Sequence, residues 1–147
     1  SETWLAMIDV DDFKLVNDTH GHVFGDAVLL LLAHQMKKSF RQSDYLFRFG
    51  GEEFVVILEP HPRDLAFATL ERFREAIAQH CFPLVGKVTV SIGYAKITET
   101  DYPPAILDAA DRALYYAKTH GKNKTYNYDT LVKDNVIKKT CVGSSIS

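Results

Sequence analysis

Cysteine is scarce: Cys81 and Cys141 are the two present in 147 residues, far apart and without metal-ligand spacing. That excludes a disulfide-stapled framework and suits unpaired thiols in a reducing cytoplasm. Long apolar runs are lacking too. The longest, Ala27 to Ala33, falls well short of the ~18 residues of a membrane span and reads as core helix. No secretory leader is expected, because Ser1-Glu2-Thr3 leads straight into a strand-like segment. Neither sign of charge dominates. A net charge of −2 gives no electrostatic case for binding long nucleic acid. The six histidines form no His-x-x-x-His pair, and no zinc pattern emerges. Both common nucleotide loops, Gly-x-x-x-x-Gly-Lys-Ser/Thr and Gly-x-Gly-x-x-Gly, are missing, as are repeats and low-complexity tracts. What remains has the length and composition of one ordinary globular domain with a real core.

The most informative stretch is Arg48-Phe49-Gly50-Gly51-Glu52-Glu53-Phe54. Tyr45–Phe49 before it and Phe54–Leu58 after it are rich in aromatic and β-branched residues and predict two strands. Gly-Gly between them reaches the positive φ angles of a hairpin turn. Adjacent glutamates at a strand start repel each other unless a cation lies between them and a polyanion, a place that suits Mg²⁺. A solvated acidic tip is the plainer alternative.

Trp4–Ile8 predicts a strand buried on both faces that delivers Asp9, Asp11 and Asp12 to a sheet edge. A short helix follows from Asp12 to His20, stopped by Gly21, and a longer one from Ala27 to Phe40 with Asp26 as its N-cap. Pro60-His61-Pro62 breaks the chain. Asp64–Gln79 carries a helical stripe of Ala66, Leu70, Phe73 and Ile77. Val88–Tyr94 alternates as a strand, Pro103 opens a helix to about Thr119, and Tyr126–Tyr128 suits a last short strand. Beyond Leu131 periodicity is lost, and Gly143-Ser144-Ser145 looks frayed or linker-like. This order predicts an α+β fold, a mainly antiparallel sheet covered by helices.

If the strands ending at Asp9 and starting at Glu52 are neighbours, their acids converge as in two-metal phosphoryl-transfer sites. Capping of the next helix is the other role open to Asp9. Lys14, in the first turn after the acids, and Lys118 and Lys122, at the end of the last helix, are phosphate candidates. The latter pair equally complements a helix dipole. Asn17 and Asp26 flank a loop containing His22. A carboxylate at Asp26 can accept from N1–H and N2–H of guanine, and capping is its alternative.

Together these stretches resemble the GGDEF family, the diguanylate cyclases, in the Glu form of the signature Gly50-Gly51-Glu52-Glu53-Phe54. Asp9-Val10-Asp11-Asp12-Phe13-Lys14-Leu15-Val16-Asn17-Asp18 looks like the family's first signature, and His22 and Asp26 fall in its Gly-His…Gly-Asp segment. Val90–Gly93, Ala110–Tyr115 and Lys118-Thr119-His120-Gly121-Lys122-Asn123 resemble three more. The similarity covers about Trp4 to Tyr126. It implies a domain over 1–128 with a fold like the polymerase palm and the nucleotide cyclases, a tail over 129–147 outside the resemblance, and a bacterial cytoplasmic location.

The implied reaction turns two GTP into cyclic di-GMP and two pyrophosphates across an antiparallel homodimer. By similarity, Asp9, the Val10 carbonyl and Glu52 bind Mg²⁺, with Mn²⁺ as its substitute. Glu52 with Glu53 deprotonates the 3′-hydroxyl, and Lys14 stabilises charge at the phosphates. Lys118 and Lys122 hold the γ-phosphate, while Asn17, His22 and Asp26 hold the nucleoside. Arg41-Gln42-Ser43-Asp44 precedes the signature where the family often carries an Arg-x-x-Asp product-inhibition site. Arg41 and Asp44 are therefore candidates to bind cyclic di-GMP allosterically, with Arg72 as a second contact. Members usually carry an Asp-x-Leu-Thr-x-Leu segment and a helix before the first strand. That part, and a sensory domain upstream, are expected to lie outside this chain. The alternative function is a silent receptor for cyclic di-GMP or GTP. Silent members typically lose the signature acids or the lysine, yet Asp9, Lys14, Glu52 and Glu53 are all present.

Overall fold

β1 (Glu2–Val10) is the central strand, and its sequence shows why. Its unbroken apolar run Trp4–Ile8, resumed at Val10, lets both faces be covered, as the sequence predicts. In the computed structural model, which describes residues 2–99 and 102–139, Trp4, Ala6, Ile8 and Val10 enter one core cluster. Leu5 and Met7 enter the other, on the opposite face.

The chain runs β1, α1 (Phe13–His20), α2 (His22–Ser39), β2 (Tyr45–Gly50), β3 (Glu53–His61), α3 (Arg63–Gln79), β4 (Cys81–Phe82), β5 (Gly86–Lys87), β6 (Val90–Ile97), α4 (Pro103–Thr119), β7 (Thr125–Asn127) and α5 (Tyr128–Lys133). The main sheet has the order β2-β3-β1-β6-β7, antiparallel except for the parallel β6–β7 pair. Residues of α1, α2 and α3 fill the first cluster, and those of α4 and α5 the second. The predicted α+β fold, an antiparallel sheet between helices, is the fold observed.

Gly93 on β6 explains how closely α4 lies on the sheet. A Cβ there would stand 2.1 Å from the Leu114 backbone nitrogen and 2.4 Å from the Ala110 carbonyl oxygen. The helix answers with small residues, Ala109, Ala110, Ala113 and Ala117, all buried. Gly93 pairs with Met7, two residues before Asp9, so the end of α4 is delivered beside the end of β1.

Several boundaries differ from the sequence reading. α2 starts at His22, so Asp26 lies inside the helix and is not its N-cap. The break is made by Gly21, at φ 90°, which separates two otherwise continuous helices. β3 continues through Pro60 to His61. Register shifts between Glu2 and Trp4 of its partner, so Pro60 falls in the irregular step where no ladder N–H is needed. β6 begins at Val90, two residues later than expected, and the short β4–β5 hairpin was not foreseen. After β7, Asn127 caps α5 by accepting from Asp129 N and Thr130 N, and Tyr128 and Leu131 pack into the second cluster. Cys81 is an exposed free thiol, while Cys141 and Gly143–Ser145 lie outside the described residues. Among the described residues no helix is long and apolar enough to cross a membrane.

Candidate functional site

The predicted convergence of acids follows from strand register. β1 pairs with β3 so that Asp9 faces Glu53, after Leu5–Ile57 and Met7–Val55 on the same face. At the turn, the Val10 N–H donates to the Glu52 carbonyl at 3.3 Å. Gly51 has φ 38°, and the Arg48 guanidinium holds the turn by donating to the Gly51 carbonyl from Nε at 3.0 Å and Nη2 at 2.7 Å.

Lys118, one turn beyond Leu114 on α4, closes the cluster. Its ammonium donates to the Val10 carbonyl at 3.2 Å and to Asp11 Oδ1 at 2.9 Å. It also stands 3.3 Å from Asp9 Oδ1 as an ion pair. That last approach lacks hydrogen-bond geometry, and Asp9 Oδ1 is buried without a hydrogen-bond partner. Burial pushes the Asp9 carboxyl up to about 6; the Lys118 charge pulls it back and the Glu52 charge opposes ionisation further. Glu53 is raised as well, by burial first and then by the charges of Asp111 and Glu52.

Asp11 behaves oppositely. Burial alone would raise it, but hydrogen bonds from Ser91, Thr89 and Lys118 outweigh that and hold its carboxyl below the ordinary range. The sequence alone points to no role for Asp11 or Arg48. A polar Ser91 within the buried Val90–Tyr94 stretch was the available signal, since a buried hydroxyl requires a partner.

The other predicted residues occupy distinct places. The Lys14 ammonium is exposed and pairs with Asp18 at 2.9 Å. Lys122 pairs with Asp12 at 2.6 Å. Asn17 Oδ1 is buried without a hydrogen-bond partner and lies over Gly25, where a Cβ would come within 1.8 Å of it. Asp26, the next residue, is exposed and lines a cavity of ≈ 510 Å³ with Leu29, Leu30, Phe47, Arg48 and Phe54. His22 is exposed at the start of α2. Away from this edge, Arg41 Nη2 contacts Asp44 Oδ1 at 3.3 Å, the Glu59 carbonyl and His61 Nδ1. The Asp44 side chain is fully buried and also accepts from the Arg41 and Glu59 backbone N–H groups. Arg72 donates to the Ser39 carbonyl, beside the segment leading to Arg41.

The residues at the Asp9 edge fit a hard divalent cation. Asp9 offers a buried oxygen without a hydrogen bond, the Val10 carbonyl lies beside it within reach of the Lys118 ammonium, and Glu52 stands near enough for its charge to oppose ionisation of Asp9. Among the described residues, no three His, Cys, Asp or Glu side chains form a cage by themselves.

A helix-covered antiparallel sheet thus gathers acids from its central strand and from a Gly-Gly-Glu-Glu hairpin at one edge. The model described as "Diguanylate cyclase, GGDEF domain" matches residues 1–124, and the chain belongs to that family. It is 41% identical over 123 residues to diguanylate cyclase DgcP of Pseudomonas aeruginosa, covering 82% of this chain and 18% of that protein. It is 38% identical over 138 residues to diguanylate cyclase A of Treponema denticola, covering 91% and 36%. The chain thus spans between about a fifth and about a third of the length of these curated relatives. Among solved structures it is similar to the GGDEF domain of DgcB from Caulobacter crescentus in complex with c-di-GMP, with TM-score 0.81, 30% identity, and 86% and 78% of the two chains covered. The active GGEEF domain of a diguanylate cyclase from Vibrio cholerae matches with TM-score 0.81 and 33% identity, over 87% and 83%.

Proposed function

We propose that this chain is the catalytic domain of a diguanylate cyclase, condensing two GTP into cyclic di-GMP and two pyrophosphates between two antiparallel copies. The observation that supports it most is the meeting of Asp9, Val10, Glu53 and Lys118 at one edge, with a buried Asp9 oxygen lacking a hydrogen bond. Asp9, the Val10 carbonyl and Glu52 would hold Mg²⁺, or Mn²⁺ in its place. When bound, that cation supplies positive charge at the triphosphate oxygens.

Glu52 with Glu53 takes the proton from the 3′-hydroxyl, and the carboxyl of Glu53, raised by burial and its acidic neighbours, is suited to receive it. The freed oxygen bonds to the α-phosphorus of the facing GTP as pyrophosphate leaves. Lys14, Lys118 and Lys122 carry the charge of the phosphates. Asn17, through its buried oxygen without a hydrogen bond, and His22 and Asp26 hold the nucleoside. Asp26 selects guanine by accepting from N1–H and N2–H.

Product inhibition is part of this reading. Arg41 offers its guanidinium to a guanine of cyclic di-GMP, held in place by Asp44, with Arg72 as the neighbouring contact. Incubation with GTP and MgCl₂ followed by nucleotide chromatography tests the reaction. Cyclic di-GMP is expected, and GTP binding without any conversion would favour a silent receptor.

A further inference from the structure

The two acids of Asp9-Val10-Asp11 have opposite bonding. Asp9 Oδ1 has no hydrogen-bond partner. Asp11 is only 5% exposed, and both its oxygens are doubly engaged. Oδ1 accepts from Ser91 Oγ at 2.7 Å and from Lys118 Nζ at 2.9 Å. Oδ2 accepts from Thr89 Oγ1 at 2.7 Å and from the Asn123 N–H at 3.0 Å. A carboxylate has about four acceptor directions, so Asp11 has none left for a metal or substrate without breaking a bond.

Three of these donors belong to rigid parts of the fold. Thr89 precedes β6, and its carbonyl also accepts from the Asp11 N–H at 2.9 Å. Ser91 is fully buried within β6. Asn123 ends a run of positive φ, 115° at Gly121, 58° at Lys122 and 48° at itself, which is an unfavourable backbone that only fixed partners keep in place. The fourth donor is different. Lys118 is a long, flexible side chain whose ammonium would otherwise sample many rotamers.

We propose that Asp11 is a positioning residue for nucleoside triphosphate binding: anchored by Thr89, Ser91 and Asn123, it restrains the Lys118 ammonium through Oδ1 so that it is poised for the terminal phosphates. The proposal rests on the cyclase reading of the site. It gives the buried carboxylate a role that neither metal binding nor proton transfer supplies. A near-isosteric Asn at 11 would lose the charge and turn an N–H₂ group toward donors. Lys118 would then have Asp9 as its only carboxylate partner among those described.

The test is a double-mutant cycle on ligand binding, with no turnover involved. Affinities of the chain for GMP and for a non-hydrolysable GTP analogue in MgCl₂ are measured by calorimetry for wild type, Asp11→Asn, Lys118→Met and the double variant. Asp11→Asn is expected to weaken the triphosphate about tenfold and GMP less than about twofold, because a charge-assisted contact to phosphate is what is lost. In the Lys118→Met background the same change should cost less than about twofold, since residues acting through one another do not add. Ser91→Ala, which removes a donor from the oxygen that holds Lys118, supplies the same cycle should Asp11→Asn fail to fold. Equal weakening of GMP and triphosphate, or costs that add in the cycle, would overturn the proposal while leaving the cyclase reading intact. A wild-type chain that binds the triphosphate no better than GMP would overturn both.

Discussion

Asp9 and Glu53 stand directly opposite each other on neighbouring antiparallel strands, and both carboxyls are shifted above their ordinary range. Facing acids across a strand pair destabilise the sheet by repulsion. Lys118, 3.3 Å from Asp9 Oδ1, offsets part of that cost. The arrangement is poor for stability alone and well suited to a cation, so the site carries a fold penalty that ligand binding would relieve.

Gly93 sets the distance between α4 and the sheet. Gly93→Ala should destabilise the fold by at least about 3 kcal/mol, because backbone atoms at 2.1 and 2.4 Å cannot yield as a flexible side chain would. Chemical denaturation measures it, and a loss under about 1 kcal/mol would show that α4 can lift from β6 at little cost.

Nucleoside selection should be separable from folding. Asp26→Ala, at an exposed position, is expected to cut the preference for GTP over ATP about tenfold with little change in stability. Gly25→Ala should act on the same site, because its Cβ meets Asn17 Oδ1 at 1.8 Å and displaces that side chain. Competition binding of GTP and ATP reads both. Equal affinities for the two nucleotides in the wild-type chain would remove the role given to Asp26.

Glu71 gives a pH dependence away from the site. It accepts from Arg74 Nε at 2.6 Å and Nη2 at 2.9 Å. Burial pushes its carboxyl up, but the hydrogen bonds and charge of Arg74 outweigh that and hold it below its ordinary 4.5. The folded state therefore binds this proton less readily than the unfolded state does. The stabilisation is present above 4.5 and is lost as pH falls through the lower folded value. Glu71→Gln should cost about 1–2 kcal/mol near pH 7, with the gap to wild type closing below the unfolded value. Denaturation across the acid range would contradict this if the gap stayed constant.

Arg41→Ala should weaken cyclic di-GMP binding at least about tenfold and leave GTP within about twofold, since Arg41 lies away from the acids and its guanidinium suits guanine O6 and N7. Calorimetric titration of both ligands decides it. Unchanged cyclic di-GMP affinity would assign Arg41 to its contacts with Asp44, Glu59 and His61 alone.

Legibility in the sequence followed periodicity and local chemistry. The β1 run, the Gly-Gly hairpin, the α3 stripe and the Pro103 start of α4 were readable, because each depends on neighbours in sequence. The start of α2 was misread, since Asp26 is a good capping residue by type while the break is a backbone matter at Gly21. Pro60 reads by residue type as a stop, although a bulge accommodates it. The role of Asp11 was hidden for another reason. Its partners Thr89, Ser91, Lys118 and Asn123 are 78 or more residues away, and only the fold brings them together.

The central claim is tested most directly by counting products. The chain, held as a dimer by an appended leucine zipper, is incubated with GTP and MgCl₂ beside Asp9→Asn and Glu52→Gln, and cyclic di-GMP and pyrophosphate are quantified together. Two pyrophosphates per cyclic di-GMP are expected from the wild-type chain. In both variants turnover should fall at least about hundredfold with the fold retained, because neutral isosteres keep the shape and lose the attraction for a divalent cation. Near-normal product from either variant, or GTP left unconverted by the dimeric wild-type chain, would contradict it.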